Sequence, residues 1–327
     1  MRRREFIAGL RSTAAWPVVA RAQQPAMPLI GLLQTGAPST WNFTGFRQGL
    51  KDMGYLEGQN LMIEFRWADN DLDRLPELAS DLVHRQVRVI VALPGNAAVR
   101  AAKAMTNTIP IVFGFGSDPV QQGFVASLNR PGGNVTGMTS LIAELVGKQL
   151  GMLHELLPQA SHFGFLSYPK APGYELLVKD AQAAASAIGG TIDILTASTS
   201  GEIDAVFVRI ANEKRVQGLL VAPDQFFMGA RVQLVILAAR FAVPAMYSLR
   251  EYAEAGGLLS YGPDIAVRDR EVGRYVGRIL KGEKPADLPV QQQIKFELVV
   301  NLQTAKAMGL TIPNSLQSLA DKVIESR

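Results

Sequence analysis

TIPIVFGFGSDPVQQGFVASLNRPGGNVTGMT, residues 108–139, is the stretch from which the architecture is inferred most directly. Its apolar start predicts a short buried strand over residues 110–113, followed by the polar loop GFGSDP. Residues 123–128 are expected to form one or two helical turns, and residues 135–138 a further extended segment. Ser117 and Asp118 then follow the carboxyl end of a strand, where open α/β sheets bind ligands, so this loop is predicted to form one wall of a ligand cleft.

The same order of strand, loop and helix recurs on both sides of this stretch. Further strands are predicted at residues 29–33, 61–67, 87–93, 162–166, 191–195, 216–221 and 244–247. Helices are predicted at residues 43–53, 75–85, 97–105, 174–188 and 201–213, and before residue 241. We therefore predict an α/β fold with two doubly wound parallel-sheet lobes, joined by a multi-strand hinge, with a ligand cleft between them.

The C-terminal part is predicted to be shared between the lobes. It contains a helix at residues 269–281 and an extended segment at 296–301, with Asn301 as the N-cap of a following helix. The expected first lobe comprises residues 23–139 plus about 262–290. The expected second lobe comprises residues 140–261 plus about 291–327.

Composition excludes several kinds of site. The chain has 327 residues and no cysteine, which rules out disulfides, thiolate catalysis and cysteine-ligated zinc. Residues 1–22 hold five of the 33 Lys and Arg residues and one of the 29 Asp and Glu residues. The rest of the chain, with 28 of each, carries no net charge, so neither nucleic acid nor an anionic membrane surface is an expected partner.

Residues 1–22 have the features of a cleavable export signal. The sequence RREFI at residues 3–7 is typical of a twin-arginine signal, and a weakly apolar segment over residues 6–19 follows it. Ala20-Arg-Ala22 fits an A-x-A cleavage site. No later apolar run is long enough to span a bilayer. The product is therefore expected to be exported to the periplasm and soluble after cleavage.

Several motifs, in chain order, resemble one known family. They are SDPV at 117–120, RPGGNVTG at 130–137, VGKQL at 146–150, AGGLLSYGPD at 255–264, YVGRILKG at 275–282 and FELVVN at 296–301. The chain is similar over about residues 29–325 to ABC transporter substrate-binding proteins of the tryptophan/tyrosine-type group. One departure is Tyr168-Pro169, where relatives tend to have Asn-Pro.

The resemblance implies the type I periplasmic binding-protein fold and a receptor without enzymatic activity, cofactor or metal. Such a receptor binds a small amino-acid-like or aromatic carboxylate solute and delivers it to the permease and ATPase subunits of an inner-membrane importer. We expect a monomer.

Candidate ligand-binding residues lie at the predicted strand ends, where the two lobes face each other. In the first lobe they are Gln34, Thr35, Ser39, Thr40, Asn96, Ser117, Asp118 and Thr139. In the second lobe they are Tyr168, Asp224, Gln225, Phe226, Tyr247, Arg250 and Tyr261. Hydroxyl and amide groups suit a carboxylate, a carboxylate side chain suits an ammonium group, and aromatic rings suit a flat ligand.

Each of these assignments has a structural alternative. Asp118 and Asn96 could instead cap the helices expected to follow them. Phe226 or its neighbour Phe227 is expected in the core. Arg250 could be an ion-pair partner of Glu251 or Glu254.

Two other functional classes compete with the receptor hypothesis. The first is an exported enzyme, for instance a hydrolase with an Asp base, although no nucleophile–base pair or metal-ligand spacing of histidines is found. The second is the sensor domain of a regulator, against which the export signal and the lack of an N-terminal DNA-binding helix pair both count.

Overall fold

A computed structural model describes residues 27–38, 42–140, 145–171 and 173–325. The predicted signal peptide and the candidates Ser39 and Thr40 lie outside these residues. No helix in the described ranges combines the length and apolarity that crossing a bilayer demands. Strands and helices are numbered below along the chain.

The first sheet has six strands, and all its pairings are parallel. They are β1 (Leu29–Gln34), β2 (Met62–Trp67), β3 (Val89–Ala92), β4 (Ile111–Phe115), β5 (Val135–Thr139) and β11 (Gln291–Gln292). Their spatial order is β11-β5-β4-β3-β1-β2. After β1 the chain adds β2 on one side of it, and then adds β3, β4 and β5 in succession on the other side. This is the doubly wound order predicted from the sequence, and its reversal leaves a crevice at the carboxyl ends of the strands.

The helices of the first lobe cover both faces of this sheet. They are α1 (Thr44–Asp52), α2 (Leu75–His84), α3 (Asn96–Met105) and α10 (Ile265–Leu280). Gly54, with φ of 88°, follows the C-cap of α1 as expected of a left-handed C′ glycine. The helical turns predicted for residues 123–128 do not form, and Gly123, with φ of 69°, ends a simple turn there instead.

The second sheet has seven strands in the order β13-β12-β10-β9-β8-β6-β7. They are β6 (His162–Ser167), β7 (Thr191–Thr196), β8 (Gly218–Val221), β9 (Ala245–Tyr247), β10 (Leu259–Pro263), β12 (Phe296–Asn301) and β13 (Lys322–Ile324). The remaining helices are α4 (Val146–Leu156), α5 (Tyr174–Ala187), α6 (Ser200–Glu213), α7 (Gln225–Gly229), α8 (Arg231–Arg240), α9 (Arg250–Glu254), α11 (Leu302–Ala307) and α12 (Asn314–Leu319).

One pairing departs from the predicted parallel arrangement, since β10 and β12 are antiparallel. The chain leaves the second sheet at the end of β10 and re-enters it at the start of β12. The end of β10 and the start of β12 therefore lie at the same edge of the sheet, next to the hinge, and the two strands run in opposite directions. Asn301, the last residue of β12, accepts a hydrogen bond from the backbone N–H of Thr304, which confirms the predicted N-cap.

The chain passes between the sheets three times, after β5, after β10 and after β11, and these passages form the hinge. The strand β11, at the predicted lobe boundary of about residue 291, pairs with β5 in the first sheet. Helix α10 follows the second passage and packs on α1 of the first lobe.

Glycines allow α1 and α10 to approach each other closely. A Cβ added at Gly49 would lie 1.9 Å from the carbonyl oxygen of Arg270, and one at Gly273 would lie 2.3 Å from that of Phe46. Asp52 of α1 adds ion pairs with Arg270 and Arg274 of α10. The interhelical distance is therefore set by backbone contact, which leaves no room for a side chain.

We expect Gly49→Ala to destabilise the protein by about 1–3 kcal/mol, because the added methyl group forces α1 away from α10. Urea unfolding with a two-state fit measures the effect. Gly151→Ala, in α4, is the matched control, since no atom lies within 4 Å of the added methyl group. There the intrinsic preference for alanine should dominate and stabilise by about 0.5–1 kcal/mol. Equal effects of the two substitutions would contradict this account of the contact.

Candidate ligand-binding cleft

A cavity of about 490 Å³ lies between the two lobes at the carboxyl ends of their strands. Loops that follow β1, β3 and β4 line it from the first lobe, and loops that follow β6, β8 and β9 line it from the second. The central lining residues are Thr35, Asn96, Ser117, Asp118, Tyr168, Asp224, Gln225, Phe226, Tyr252 and Arg268. Both sheets therefore present their strand-end loops to one cleft between the lobes, as the sequence predicts.

The first-lobe wall is built around a reciprocal pair, Asn96 and Ser117. The Asn96 amide Nδ2 donates to Ser117 Oγ over 2.8 Å, and Ser117 Oγ donates to Asn96 Oδ1 over 3.1 Å. Asn96 is the first residue of α3, not its cap, and Gly95 at the N-cap position carries no side chain to accept the first N–H groups. Around Asn96 and Ser117 this wall combines neutral polar side chains with the positive end of a helix dipole, which favours an anionic group there, while Asp118 adds a carboxylate to the same wall.

Asp118 lies in the cavity lining and also caps the turn that follows it. Its Oδ1 accepts hydrogen bonds from the backbone N–H groups of Val120 at 2.8 Å and Gln121 at 3.3 Å. The turn that it caps replaces the helix expected there. One carboxylate oxygen is thereby engaged by the backbone.

The second-lobe wall contains a half-buried carboxyl group, Asp224. This residue follows β8 and caps α7, where its Oδ1 accepts a hydrogen bond from the backbone N–H of Phe226 over 2.7 Å. Burial raises the pKa of the Asp224 carboxyl to about 6, and the Phe226 hydrogen bond only partly offsets this effect. Because this partly desolvated carboxylate has one backbone donor, a cationic group of a ligand would stabilise its charge.

Aromatic rings surround Asp224. Tyr168 and Phe226 lie with their ring centroids 5.3 Å apart, and burial together with the charge of Asp224 raises the pKa of Tyr168. Tyr252, which is 2% exposed, also lines the cavity, and its ring stacks on Tyr247 at 4.7 Å. The second lobe therefore places Asp224 near aromatic rings, which suits a flat ligand that carries an ammonium group, and Asp180 of α5 is a second acidic residue of this lobe in the lining.

Five described candidates lie outside the cavity lining: Gln34, Thr139, Tyr247, Arg250 and Tyr261. The first two are buried behind the first-lobe wall, where the Thr139 hydroxyl donates to the Ser117 carbonyl oxygen over 2.7 Å. Tyr247 lies within β9, and its ring is packed in the core of the second lobe.

Tyr261 and Arg250 have partners of their own away from the cleft. The Tyr261 hydroxyl accepts a hydrogen bond from Lys148 Nζ over 2.6 Å, and that ammonium group also lies over the tyrosine ring. Arg250 faces a second cavity, at the hinge, and forms the ion pair with Glu254 that was considered as an alternative. None of the five candidates Gln34, Thr139, Tyr247, Arg250 and Tyr261 lines the cavity, and their contact with a ligand stays a prediction.

Tyr252 and Arg268 are among the lining residues that were not predicted. Arg268 is 2% exposed, and its Nε and Nη2 donate to Asp269 Oδ1 over 3.0 and 2.8 Å. Both residues belong to helical segments that the sequence analysis did not identify, namely α9 and the first turn of α10. Among the described residues, no group of acidic, histidine or cysteine side chains is arranged to hold a metal ion.

The chain is similar to proteins of known family. The profile of the family described as ABC transporter substrate binding protein matches residues 37–324. A curated relative, the tyrosine-binding protein of Clostridioides difficile, is 27% identical over 266 residues, which cover 81% of this chain and 76% of that protein.

Two solved structures of similar proteins differ in how well they superpose. The ABC domain from Streptococcus pneumonia in complex with L-Trp is 25% identical, with a TM-score of 0.81 over 91% of this chain and 99% of that one. The ligand-free, open structure of a substrate binding protein with adhesive properties from Clostridium difficile is also 25% identical. Its TM-score is 0.65, over 91% of this chain and 100% of that one.

Proposed function

This chain belongs to the family of ABC transporter substrate-binding proteins, with the type I periplasmic binding-protein fold, and from that premise we propose that it binds an aromatic α-amino acid of the tyrosine or tryptophan type between its lobes. The family consists of binding proteins, so the exported-enzyme hypothesis is not retained. The observation that carries the proposal is Asp224, a half-buried carboxyl group that lines the cavity together with aromatic rings.

Each part of such a ligand has a matching part of the cleft. Asp224 pairs with the ammonium group, and the rings of Tyr168, Phe226 and Tyr252 contact the aromatic side chain. The carboxylate faces the first-lobe wall, where the uncapped start of α3 supplies backbone N–H donors. The names of the relatives support this assignment, since one is a tyrosine-binding protein and another was solved with L-Trp.

The proposal extends to transport. The protein is exported and soluble in the periplasm after loss of residues 1–22, acts as a monomer, and delivers its ligand to the permease and ATPase of an importer. Family membership and the twin-arginine-like sequence at residues 3–7 support these steps.

We expect L-tyrosine or L-tryptophan to raise the melting temperature of the purified protein. A ligand present at a hundredfold excess over its Kd stabilises the folded state by about 2.7 kcal/mol. A thermal-shift series should compare each amino acid with its decarboxylated amine, its deaminated acid and L-leucine. The amine tests the first-lobe wall, the acid tests Asp224, and leucine tests the aromatic wall. Isothermal calorimetry then gives the Kd.

Two results would contradict the proposal. One is an equal response to the amino acid and the deaminated acid, because Asp224 would then have no ammonium group to recognise. The other is a shift for leucine as large as that for the aromatic amino acids.

A further inference from the structure

The three passages of the hinge are fastened to one another by a buried glutamine, Gln293. Its Nε2 donates to the Asp264 carbonyl oxygen over 3.1 Å, and its Oε1 accepts from Ser140 Oγ over 3.1 Å. Its backbone N–H donates to the Thr139 carbonyl oxygen over 2.8 Å. Ser140, Asp264 and Gln293 are the residues directly after β5, β10 and β11. The hydrogen bonds of Gln293 therefore connect the three passages to one another at the points where they leave the sheets. Rotation of one lobe against the other must then occur close to this point.

Arg250 forms three ion pairs beside that point. Its guanidinium lies 3.2 Å from Glu254, 3.2 Å from Glu297 and 3.6 Å from Asp264. Glu254 belongs to α9 and Glu297 to β12, both in the second lobe with Arg250 itself. These two distances stay fixed when the lobes move as rigid bodies.

The third partner, Asp264, is tied to the first lobe. Its Oδ1 accepts hydrogen bonds from the backbone N–H groups of Ala266 and Val267, which makes it the N-cap of α10. Helix α10 packs on α1 through the glycine contacts described above. The Arg250–Asp264 pair therefore joins the lobes, and its length depends on the angle between them.

The lobes stand in an arrangement that resembles the ligand-bound relative more than the open one. At the same identity and coverage of this chain, the TM-score is 0.81 against the L-Trp complex and 0.65 against the ligand-free, open structure. The pair is formed in this arrangement. The attraction between Arg250 and Asp264 stabilises this arrangement of the lobes, and it would be lost if the two side chains moved apart.

We propose that Arg250 and Asp264 form an interlobe latch that shifts the equilibrium between open and closed lobes toward the closed form. Both are positioning residues, because neither lines the ligand cavity. The latch acts by raising the fraction of molecules in the binding-competent arrangement, and a ligand that binds this arrangement gains affinity in proportion. The inference rests on the proposed function for its ligand, although its structural readout requires none.

The test is Asp264→Asn in the full mature protein. Asparagine still caps α10 through its side-chain oxygen, so only the charge opposite Arg250 is lost. Since a partly exposed ion pair contributes little, we expect L-tyrosine or L-tryptophan to bind about two- to fivefold more weakly, with the change in the dissociation rate. Stopped-flow fluorescence separates the two rate constants.

Glu254→Gln is the control within the second lobe, because it removes a carboxylate from the same arginine, and from Lys322 of β13, without touching the first lobe. It should leave affinity and dissociation rate unchanged. A second readout, the distance between spin labels on the two lobes of the ligand-free protein, should broaden toward longer values in Asp264→Asn only. Equal behaviour of the two variants, or an unchanged distance distribution in Asp264→Asn, would overturn the latch. If neither amino acid binds the unsubstituted protein, the proposed function fails while the distance measurement still decides on the latch.

Discussion

Asp224→Asn lowers the affinity for an aromatic amino acid by about ten- to hundredfold, the equivalent of roughly 1.5–3 kcal/mol for a hydrogen bond to a charged group. The substitution is nearly isosteric, and the asparagine oxygen still accepts the hydrogen bond from Phe226 that caps α7. The loss therefore reports on the charge that faces the ammonium group. Calorimetric titration with L-tyrosine and L-tryptophan measures it.

Asp118→Asn is the matched comparison, because Asp118 is the other acidic candidate in the cavity lining and also caps a turn. Its carboxylate already accepts two backbone N–H groups, so a smaller effect is expected. If Asp118→Asn costs more affinity than Asp224→Asn, the ammonium group is bound by the first lobe and the assignment of the two walls is reversed.

The pH dependence gives the same residue a second signature. The ligand-free pKa of Asp224 is raised to about 6, so below that pH the carboxyl is protonated and must lose its proton to pair with an ammonium group. Affinity should fall by about tenfold per pH unit below 6 until the pKa of the complex is reached. Asp224→Asn should abolish this slope.

The stability of the ligand-free protein should respond to pH in the opposite sense. Because the folded-state pKa of Asp224 lies above the ordinary value of 3.8, the folded protein holds the proton more tightly than the unfolded chain. The associated stability is fully present below pH 4 and is lost as the pH rises through about 6, an effect on the order of 3 kcal/mol. Comparison of Asp224→Asn with the unsubstituted protein isolates this contribution from those of other carboxyl groups.

The two doubly wound parallel sheets could be predicted because their strands and helices follow from local signals. Short apolar runs such as β1 and β3, each followed by a polar loop, fix both the strands and the edge at which their loops meet. Asn96, Ser117 and Asp224 could be assigned to the cleft for this reason alone. The antiparallel β10–β12 pair depends on where the chain re-enters the second sheet, and no local pattern encodes that.

Side-chain direction explains most of the differences at the site. Tyr247 lies inside β9 and faces the core, whereas Tyr252, five residues later, reaches the cavity from α9. A strand end gives the position of a residue but not the face on which its side chain lies. Arg268 was missed because an arginine in a charged helical sequence, here VRDRE at residues 267–271, ordinarily faces solvent.

Arg268→Met is expected to destabilise the protein by about 3–5 kcal/mol, because it leaves the carboxylate of Asp269 buried without its guanidinium partner. Arg268 and Asp269 have side chains only 2% and 1% exposed, so water cannot replace the lost charge. Urea unfolding, followed by tryptophan fluorescence and circular dichroism, measures the free energy and tests for two-state behaviour. The position of Arg268 in the cavity lining predicts weaker ligand binding by the folded fraction as well.

Arg270, on the same helix, allows the stability contributed by an exposed ion pair to be compared with that of the buried pair. Arg270 pairs with Asp52, but its side chain is 45% exposed, and Arg270→Met should cost at most about 1 kcal/mol. The double variant Arg268→Met/Asp269→Leu removes both buried charges and should recover part of the stability lost by Arg268→Met alone, because the buried carboxylate is removed together with the guanidinium. If Arg268→Met costs no more than Arg270→Met, the pair is hydrated in solution. The part of the cavity lining around Arg268 would then be open to water. The desolvation that raises the pKa of Asp224 would need to be revised as well.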